Sequence, residues 1–200
     1  MDVAEALRTT RAMRRLAPTP IPDGVISRIL DAGIRAPAPG AAQTWRFVVV
    51  TDRDVMASIA DLWRSTRDEL LELVPNLYQS SVQARSSQYL HDHFAEVPLL
   101  ICGYGPPGSQ AILAPALWSM CIAARSEGVG STFTTLLTRA PEALATILGV
   151  PDDSGLDLIG ALPMGYPLGR WGAARRQPVE EVVFAQRWGA PSDWTTEEPS

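Results

Sequence analysis

Three short apolar runs constrain the fold more than any other feature of the chain. They are RFVVVT (residues 46–51), PLLICGY (98–104) and LDLIGALP (156–163). Runs of this length that are apolar almost throughout are typical of buried strands. They are also far shorter than the roughly 20 residues that a membrane-spanning helix needs. The chain is therefore predicted to build its core on a sheet, and no membrane span is predicted.

Segments with the apolar spacing of helices surround these strands. We predict helices over residues 2–16, 23–35, 52–74, 79–94 and 109–127, a short helix over 141–149, and an extended segment over 131–137. Helices and strands do not alternate regularly, as they would in a series of βαβ units. The expected class is α+β, with a mixed central β-sheet flanked by helices.

The last part of the chain differs in composition from the rest. It mixes Pro, Gly and Trp with charges, and only VEEVVF (residues 179–184) has the pattern of a regular element. The chain has 200 residues, 46% of them hydrophobic and 20% charged, which fits one globular domain with an arm. We predict a core over residues 1–166 and a C-terminal arm over 167–200 that packs on the body or on a partner chain.

Arginine carries all of the positive charge of this protein. The 17 basic residues are all Arg, and the sequence contains no Lys. Schiff-base chemistry, pyridoxal phosphate attachment and a P-loop lysine are therefore excluded, and a side-chain cation that holds phosphate must be Arg. The net charge of −5 argues against nucleic acid as the main partner.

The densest arginine cluster is RTTRAMRRL, which contains Arg8, Arg11, Arg14 and Arg15. On the predicted N-terminal helix most of these guanidinium groups share one face, where they repel each other unless an anion or carboxylates intervene. Two interpretations stay open: a solvated basic helix, or a phosphate clamp that uses the bidentate geometry of Arg. Arg175 and Arg176 in the arm could complete such a clamp from the far end of the chain.

Other motifs predict less. GYGPPG (residues 103–108) matches G-x-G-x-x-G formally, but its two prolines remove backbone donors that a dinucleotide site needs. His91 and His93 are two residues apart, so they diverge on a helix, and the sequence has no third histidine. No metal site is therefore predicted.

The sequence also lacks the G-x-S-x-G motif that holds the nucleophilic serine of many hydrolases. Cys102 and Cys121 are predicted to be free buried thiols of a cytoplasmic protein, and the acidic start of the chain lacks the pattern of a secretory signal.

Three segments together resemble the nitroreductase family of flavin enzymes. TRAMRRLAPTPIPDGVISRILDAGIRAPAPGAAQTWRFVVV (residues 10–50) is similar to the family's R-S-x-R-x-F helix, proline turn and A-P-S-G-x-N-x-Q-P-W-x-F loop. WSMCIAARSEGVGSTFTTLL (118–137) resembles its core helix and G-L-G-S turn. LGVPDDSGLDLIGALPMGYPLGRWGAARRQPVEEVV (148–183) resembles its closing strand and R-x-P-L arm.

The resemblance implies a homodimer with FMN at the interface, exchanged C-terminal arms, and NAD(P)H as co-substrate. In a ping-pong reaction NAD(P)H would reduce the flavin, which would then reduce a nitroaromatic, a quinone or a similar small-molecule acceptor. Arg11, Arg14 and Arg176 would hold the phosphate, and Thr134, Thr135 and Leu136 would lie near the reactive N5 edge. Trp45 matches the family's Q-P-W, and the other cofactor-binding positions implied are Ala12, Pro37, Ala38, Pro39, Ala41 and Gln43. No residue is predicted with certainty as an acid, base or nucleophile.

The chain departs from the family pattern where the flavin is expected. Ala12 and Ala38 replace serines, Pro39 a glycine, Ala41 an asparagine and Thr44 a proline. Two alternatives to an oxidoreductase therefore stay open. One is a family member that binds flavin or another phosphorylated ligand without turnover, and the other is a specialised reaction such as flavin fragmentation, dehalogenation or desaturation. The weakly patterned residues 62–95 are expected to shape access for the substrate.

Overall fold

The structure is a computed structural model that describes residues 1–78 and 80–195 and, of Ala41, the backbone alone. The described helices are α1 (Val3–Thr9), α2 (Asp23–Ile34), α3 (Arg53–Leu73), α4 (Ser81–Asp92), α5 (Gln110–Ser126), α6 (Pro141–Leu148) and α7 (Val179–Val182). The described strands are β1 (Arg46–Val50), β2 (Leu99–Gly105), β3 (Gly130–Ser131) and β4 (Asp157–Gly165). Short 3-10 turns occupy Pro39–Ala41, Phe94–Glu96 and Leu136–Arg139.

The four strands form one sheet in the spatial order β1, β2, β4, β3. All of its ladders are antiparallel, and a parallel bridge between Ala12 and Ser131 extends it at the β3 edge. The three apolar runs of the sequence are β1, β2 and β4, as predicted. The α+β class is confirmed.

Successive side chains of β2 point to opposite faces of the sheet, and this divides the core into two layers. Leu100, Cys102 and Tyr104 point towards α3, α4 and the 3-10 turn that follows β3, where they join a cluster around Met56, Ile59 and Phe94. Leu99 and Ile101 point the other way, towards α2 and α5. Because β2 is buried over its full length, it separates the two layers.

The helix predicted over residues 2–16 is wrong beyond Thr9. The hydroxyls of Thr9 and Thr10 donate to the carbonyls of Glu5 and Ala6, at 2.7 Å in both cases. Such bonds between β-branched side chains and the preceding turn weaken a helix. After Thr10 the chain is extended, and Thr10, Met13 and Leu16 are buried at a spacing of three, which resembles a helical stripe in the sequence.

Two smaller predictions also need correction. The segment 131–137 is extended only in part, because Leu136–Arg139 forms a 3-10 turn. The helix predicted over 79–94 begins at Ser81, where Ser80 caps it by accepting from the Gln83 amide at 3.2 Å, and ends at Asp92. Gln79 lies outside the described residues, as do residues 196–200 of the predicted arm. In the described part of the chain, no helix has the length and apolar character to cross a membrane.

Both cysteines are free and buried, so we predict that neither thiol of the native protein reacts with a thiol reagent at about pH 8. Burial raises the pKa of Cys102 to about 12 and that of Cys121 to about 11, so both are neutral thiols at that pH. Colour formation with a disulfide reagent, before and after addition of urea, measures this. Rapid reaction of either thiol in the native state would contradict the described packing.

The stacking of Trp63 on Phe94 is predicted to stabilise the layer under α3. The two ring centroids are 4.4 Å apart, and Phe94 is fully buried. Phe94→Ala should lower the free energy of unfolding by about 3–5 kcal/mol, because it leaves a cavity. Urea denaturation gives the value, with Phe133→Ala at a partly exposed position as the control. A loss below about 1 kcal/mol for Phe94→Ala would contradict this packing.

Candidate functional site

A cavity of about 440 Å³ lies between the segment after β3 and helices α3 and α4. This volume is within the usual range of small-molecule sites. Its lining contains both polar or cationic residues and apolar residues. The polar residues are Arg14, Arg67, Tyr78, Ser87, Thr132, Thr134, Thr135, Thr138 and Arg139, and the apolar residues are Trp63, Leu70, Leu77, Leu90, Phe133 and Leu136.

Arg14 reaches this cavity because the N-terminal segment is held in an extended conformation from both sides. On one side the Met13 amide donates to the Ser131 carbonyl at 2.8 Å, and the Thr132 hydroxyl donates to the Met13 carbonyl at 2.9 Å. On the other side the Leu168 amide donates to the Arg15 carbonyl at 2.9 Å. Between the buried Met13 and Leu16, the Arg14 side chain lies at the cavity wall.

The Arg14 guanidinium has no counter-charge in the part of the chain that the structure describes. Among the described residues no carboxylate lies within ion-pair distance of it. Loss of water around the half-buried group lowers its pKa, and Tyr78 raises it by a smaller amount. A partly desolvated cation without a partner is unfavourable. The site is therefore suited to an anion, and a phosphate is the anion that Arg binds with the best geometry.

Thr134, Thr135 and Leu136 lie on the same cavity wall, as the predicted cofactor site requires. The Thr134 amide and carbonyl pair with Ala161, and the Thr134 hydroxyl accepts from the Leu136 amide at 3.1 Å. Thr135 is different, because its N–H has no hydrogen-bond acceptor among the described residues. The wall thus offers a backbone donor as well as a cation.

Arg11 and Ala12 line a smaller groove of about 280 Å³ that shares Arg14 with the cavity. Arg11 donates to the carbonyl of Arg170 at 2.8 Å, and Arg15 lies over the ring of Tyr89 at 5.3 Å. A basic helix that carries the whole cluster is excluded, because α1 ends at Thr9 and Arg11, Arg14 and Arg15 lie on the extended segment after it. Arg8 remains on α1, whereas Arg11, Arg14 and Arg15 line the cavity or the adjoining groove.

The loop predicted to run beside the flavin does not line this cavity within the chain. Pro37, Ala38, Pro39, Ala41 and Gln43 precede β1, and Gln43 donates to the Ile34 carbonyl at 2.8 Å. The start of β1 pairs with the end of β2, whereas β3 lies at the opposite edge of the sheet and beside the opposite end of β4. The predicted cofactor residues therefore form two separate groups.

The arm begins by pairing with its own chain. Leu16 and Pro167 form an antiparallel bridge, and the Ala174 amide donates to the Arg8 carbonyl at 3.2 Å. Arg125 of α5 stacks over Trp171 at 4.2 Å. Arg176 is exposed and contacts the Arg175 carbonyl at 3.0 Å, outside the cavity. Exchange of the later part of the arm with a partner stays a prediction.

Most of the described cavity lining was not singled out from the sequence as individual residues, including Trp63, Arg67, Tyr78 and Arg139. Arg67 is buried, donates to the Gln88 side chain at 3.0 Å, and lies over the Tyr78 ring at 5.9 Å. One feature of the sequence could have indicated Arg67. Arg67 follows Trp63 by four residues, so a charge stands on the apolar face of a long helix.

A profile of the nitroreductase family matches residues 7–166. The chain belongs to this family. Among its relatives is an NADH dehydrogenase of Thermus thermophilus, 26% identical over 92% of this chain and 96% of that protein. Iodotyrosine deiodinase 1 of Rattus norvegicus is 23% identical over 82% of this chain and 61% of its own length. Among solved structures, an oxidized iodotyrosine deiodinase bound to FMN and 3-iodo-L-tyrosine has a TM-score of 0.73 at 19% identity, covering 93% of this chain and 99% of that one.

We predict that Arg14 makes the nitroreductase-family cavity an anion site even for inorganic phosphate. Added phosphate should raise the Tm of the wild-type protein, by roughly 2–4 °C for each 1 kcal/mol of binding free energy. The rise should be largely lost in Arg14→Met. Differential scanning fluorimetry across a phosphate series, with chloride at equal ionic strength, measures it.

The matched control is Arg64→Met. Arg64 lies outside the cavity and pairs with Asp61 at 2.6 Å on the outer face of α3. Its phosphate response should equal that of the wild type. Equal responses in Arg14→Met and wild type would show that the anion binds elsewhere.

Proposed function

We propose that the protein is an FMN-dependent NAD(P)H oxidoreductase that reduces nitroaromatic, quinone or similar acceptors by a ping-pong reaction. The observation that carries the proposal is that Arg14 and Thr135 line the same cavity, and that neither the Arg14 guanidinium nor the Thr135 N–H has a partner among the described residues. A phosphate and a ring atom that accepts a hydrogen bond are both present in FMN. Membership of the nitroreductase family supports the same cofactor.

The residues of this chain would bind and orient the cofactor. Arg14, with Arg11 in the adjoining groove, would hold the phosphate, and the Thr135 N–H would face the N5 edge of the ring. The bound flavin would supply the hydride transfer, whereas the protein supplies placement and electrostatics. Apolar residues such as Trp63 and Leu90 would exclude water from the ring. No general base is needed for this chemistry, and none is proposed.

A second copy of the chain would complete the site in a homodimer. The loop with Pro37, Ala38 and Pro39 lies away from the cavity of its own chain, so it would reach the cavity of the partner. These three residues have no side-chain hydrogen-bonding group, and recognition would rest on backbone groups and apolar contact. Leu7 and Trp118, exposed by 54% and 41%, support an apolar interface on α1 and α5. The two free thiols fit a cytoplasmic location.

Two alternatives to this function each have support. Loss of side-chain donors at Ala12 and Ala38 favours a protein that binds flavin without turnover. The likeness to iodotyrosine deiodinase favours reductive dehalogenation of a halogenated aromatic. Sustained NAD(P)H oxidation with a nitroaromatic or quinone excludes the first alternative. Halide release from a halogenated aromatic, without turnover of either acceptor, would favour the second.

The proposed function predicts a flavoprotein whose FMN affinity depends on Arg14. Arg14→Gln should weaken FMN binding about 10- to 100-fold, because it removes a charge-assisted contact of about 1.5–3 kcal/mol. FMN fluorescence quenching gives the dissociation constant, and Arg64→Gln should match the wild type. A wild-type protein that neither contains nor takes up FMN would contradict the proposal.

A further inference from the structure

A second cavity lies where the start of β1 meets the end of β2. Its volume is about 470 Å³, and it shares no lining residue with the cavity of Arg14. One wall is the start of β1 and the end of β2, and the other is the end of α6 with the loop before β4. A cavity of this size accommodates a small organic molecule.

Most of this wall is apolar. Val48 of β1, Leu148 at the end of α6, and Val150, Pro151 and Leu156 from the following loop supply that surface. Gly149 ends α6 with φ of 66°, a left-handed conformation that turns the chain sharply after Leu148. The remaining lining residues are Thr44, Arg46, Tyr104, Gly149 and Ser154.

Tyr104 lines this cavity and carries an unsatisfied polar group. The residue is only 3% exposed, and its hydroxyl has no hydrogen-bond partner among the described residues. Burial is the main reason that its pKa lies well above the usual range, with a smaller effect of Cys102, so the phenol is a neutral donor at physiological pH. Buried hydroxyls in native proteins nearly always have a partner. The missing partner points to a ligand.

Arg46 is the cross-strand neighbour of Tyr104. The two residues are directly opposite in the β1–β2 ladder, so their side chains leave the same face of the sheet, with Cβ atoms roughly 4.5–5.5 Å apart. Arg46 donates to the Trp45 carbonyl at 2.8 Å, and no described carboxylate pairs with it. Asp152 and Asp153 in the loop are exposed and do not line the cavity, so Arg46 is the one charged residue of the described lining.

We infer that this cavity binds a small amphipathic carboxylic acid, separately from the proposed flavin site. The carboxylate accepts hydrogen bonds from Tyr104 and Arg46, and the body of about ten to fifteen non-hydrogen atoms packs against Val48, Leu148 and Leu156. A mostly apolar cavity whose lining includes one cation and one phenol fits an acid better than an alcohol or a cation. Binding requires a small shift of Tyr104 to expose its hydroxyl.

Octanoate is the test probe, because it combines one carboxylate with an apolar chain. Calorimetric titration of the full chain, with and without saturating FMN, should show one octanoate site per chain. Acetate has the charge alone and octan-1-ol has the chain alone, and each should bind at least about tenfold more weakly. Tyr104→Phe and Arg46→Gln should each weaken octanoate binding by about tenfold or more.

Two controls separate this site from the family cavity. Arg64→Gln removes an arginine outside both cavities, and Arg14→Gln changes the family cavity, and neither should alter octanoate binding. Tyr104→Phe should keep or raise the Tm, because it removes a buried hydroxyl without a partner. A lower Tm would mean that the hydroxyl already bonds within the protein. Three results would each overturn the inference. They are a lower Tm of Tyr104→Phe, no saturable octanoate binding below about 10 mM, and equal octanoate affinity in all variants.

Discussion

The extended pairing of residues 10–16 is the constraint on which the candidate site depends. This segment lies between Ser131 on one side and the chain after β4 on the other, and backbone hydrogen bonds hold it from both sides. Burial of Met13 and Leu16 fixes its register. If the segment were helical, Arg14 would lose its place beside Thr132 and Thr135. The backbone therefore positions the cation, and the cation in turn gives the cavity its preference for anions.

The sheet could be predicted from the sequence because its strands are short apolar runs with little helical alternative. The N-terminal segment could not be predicted correctly, because Thr10, Met13 and Leu16 have a spacing that a helix and this extended segment share. Its partners, β3 and residues 166–168, are more than 100 residues away in the sequence. Arg67 was missed for a related reason, since helical periodicity places it beside Trp63 but cannot show that a cavity lies there.

The two groups of predicted cofactor residues become consistent when two copies of the chain are considered. Arg14 and Thr135 belong to the cavity of one copy, whereas the loop around Ala38 and Pro39 projects from the opposite sheet edge. In the proposed dimer, the loss of polar side chains from that loop would have a limited cost, because its backbone could approach a flat ring closely. Because the chain has no lysine, the phosphate of a bound FMN would depend on Arg.

Sedimentation with detection of flavin absorbance tests the central claim most directly, namely that one FMN site needs residues of two copies. The account predicts that the visible absorbance of added FMN sediments with a particle of twice the 21.6 kDa chain mass. It also predicts that dilution to monomer releases FMN. Flavin that sediments with the single chain, or that stays free at every protein concentration, would contradict it.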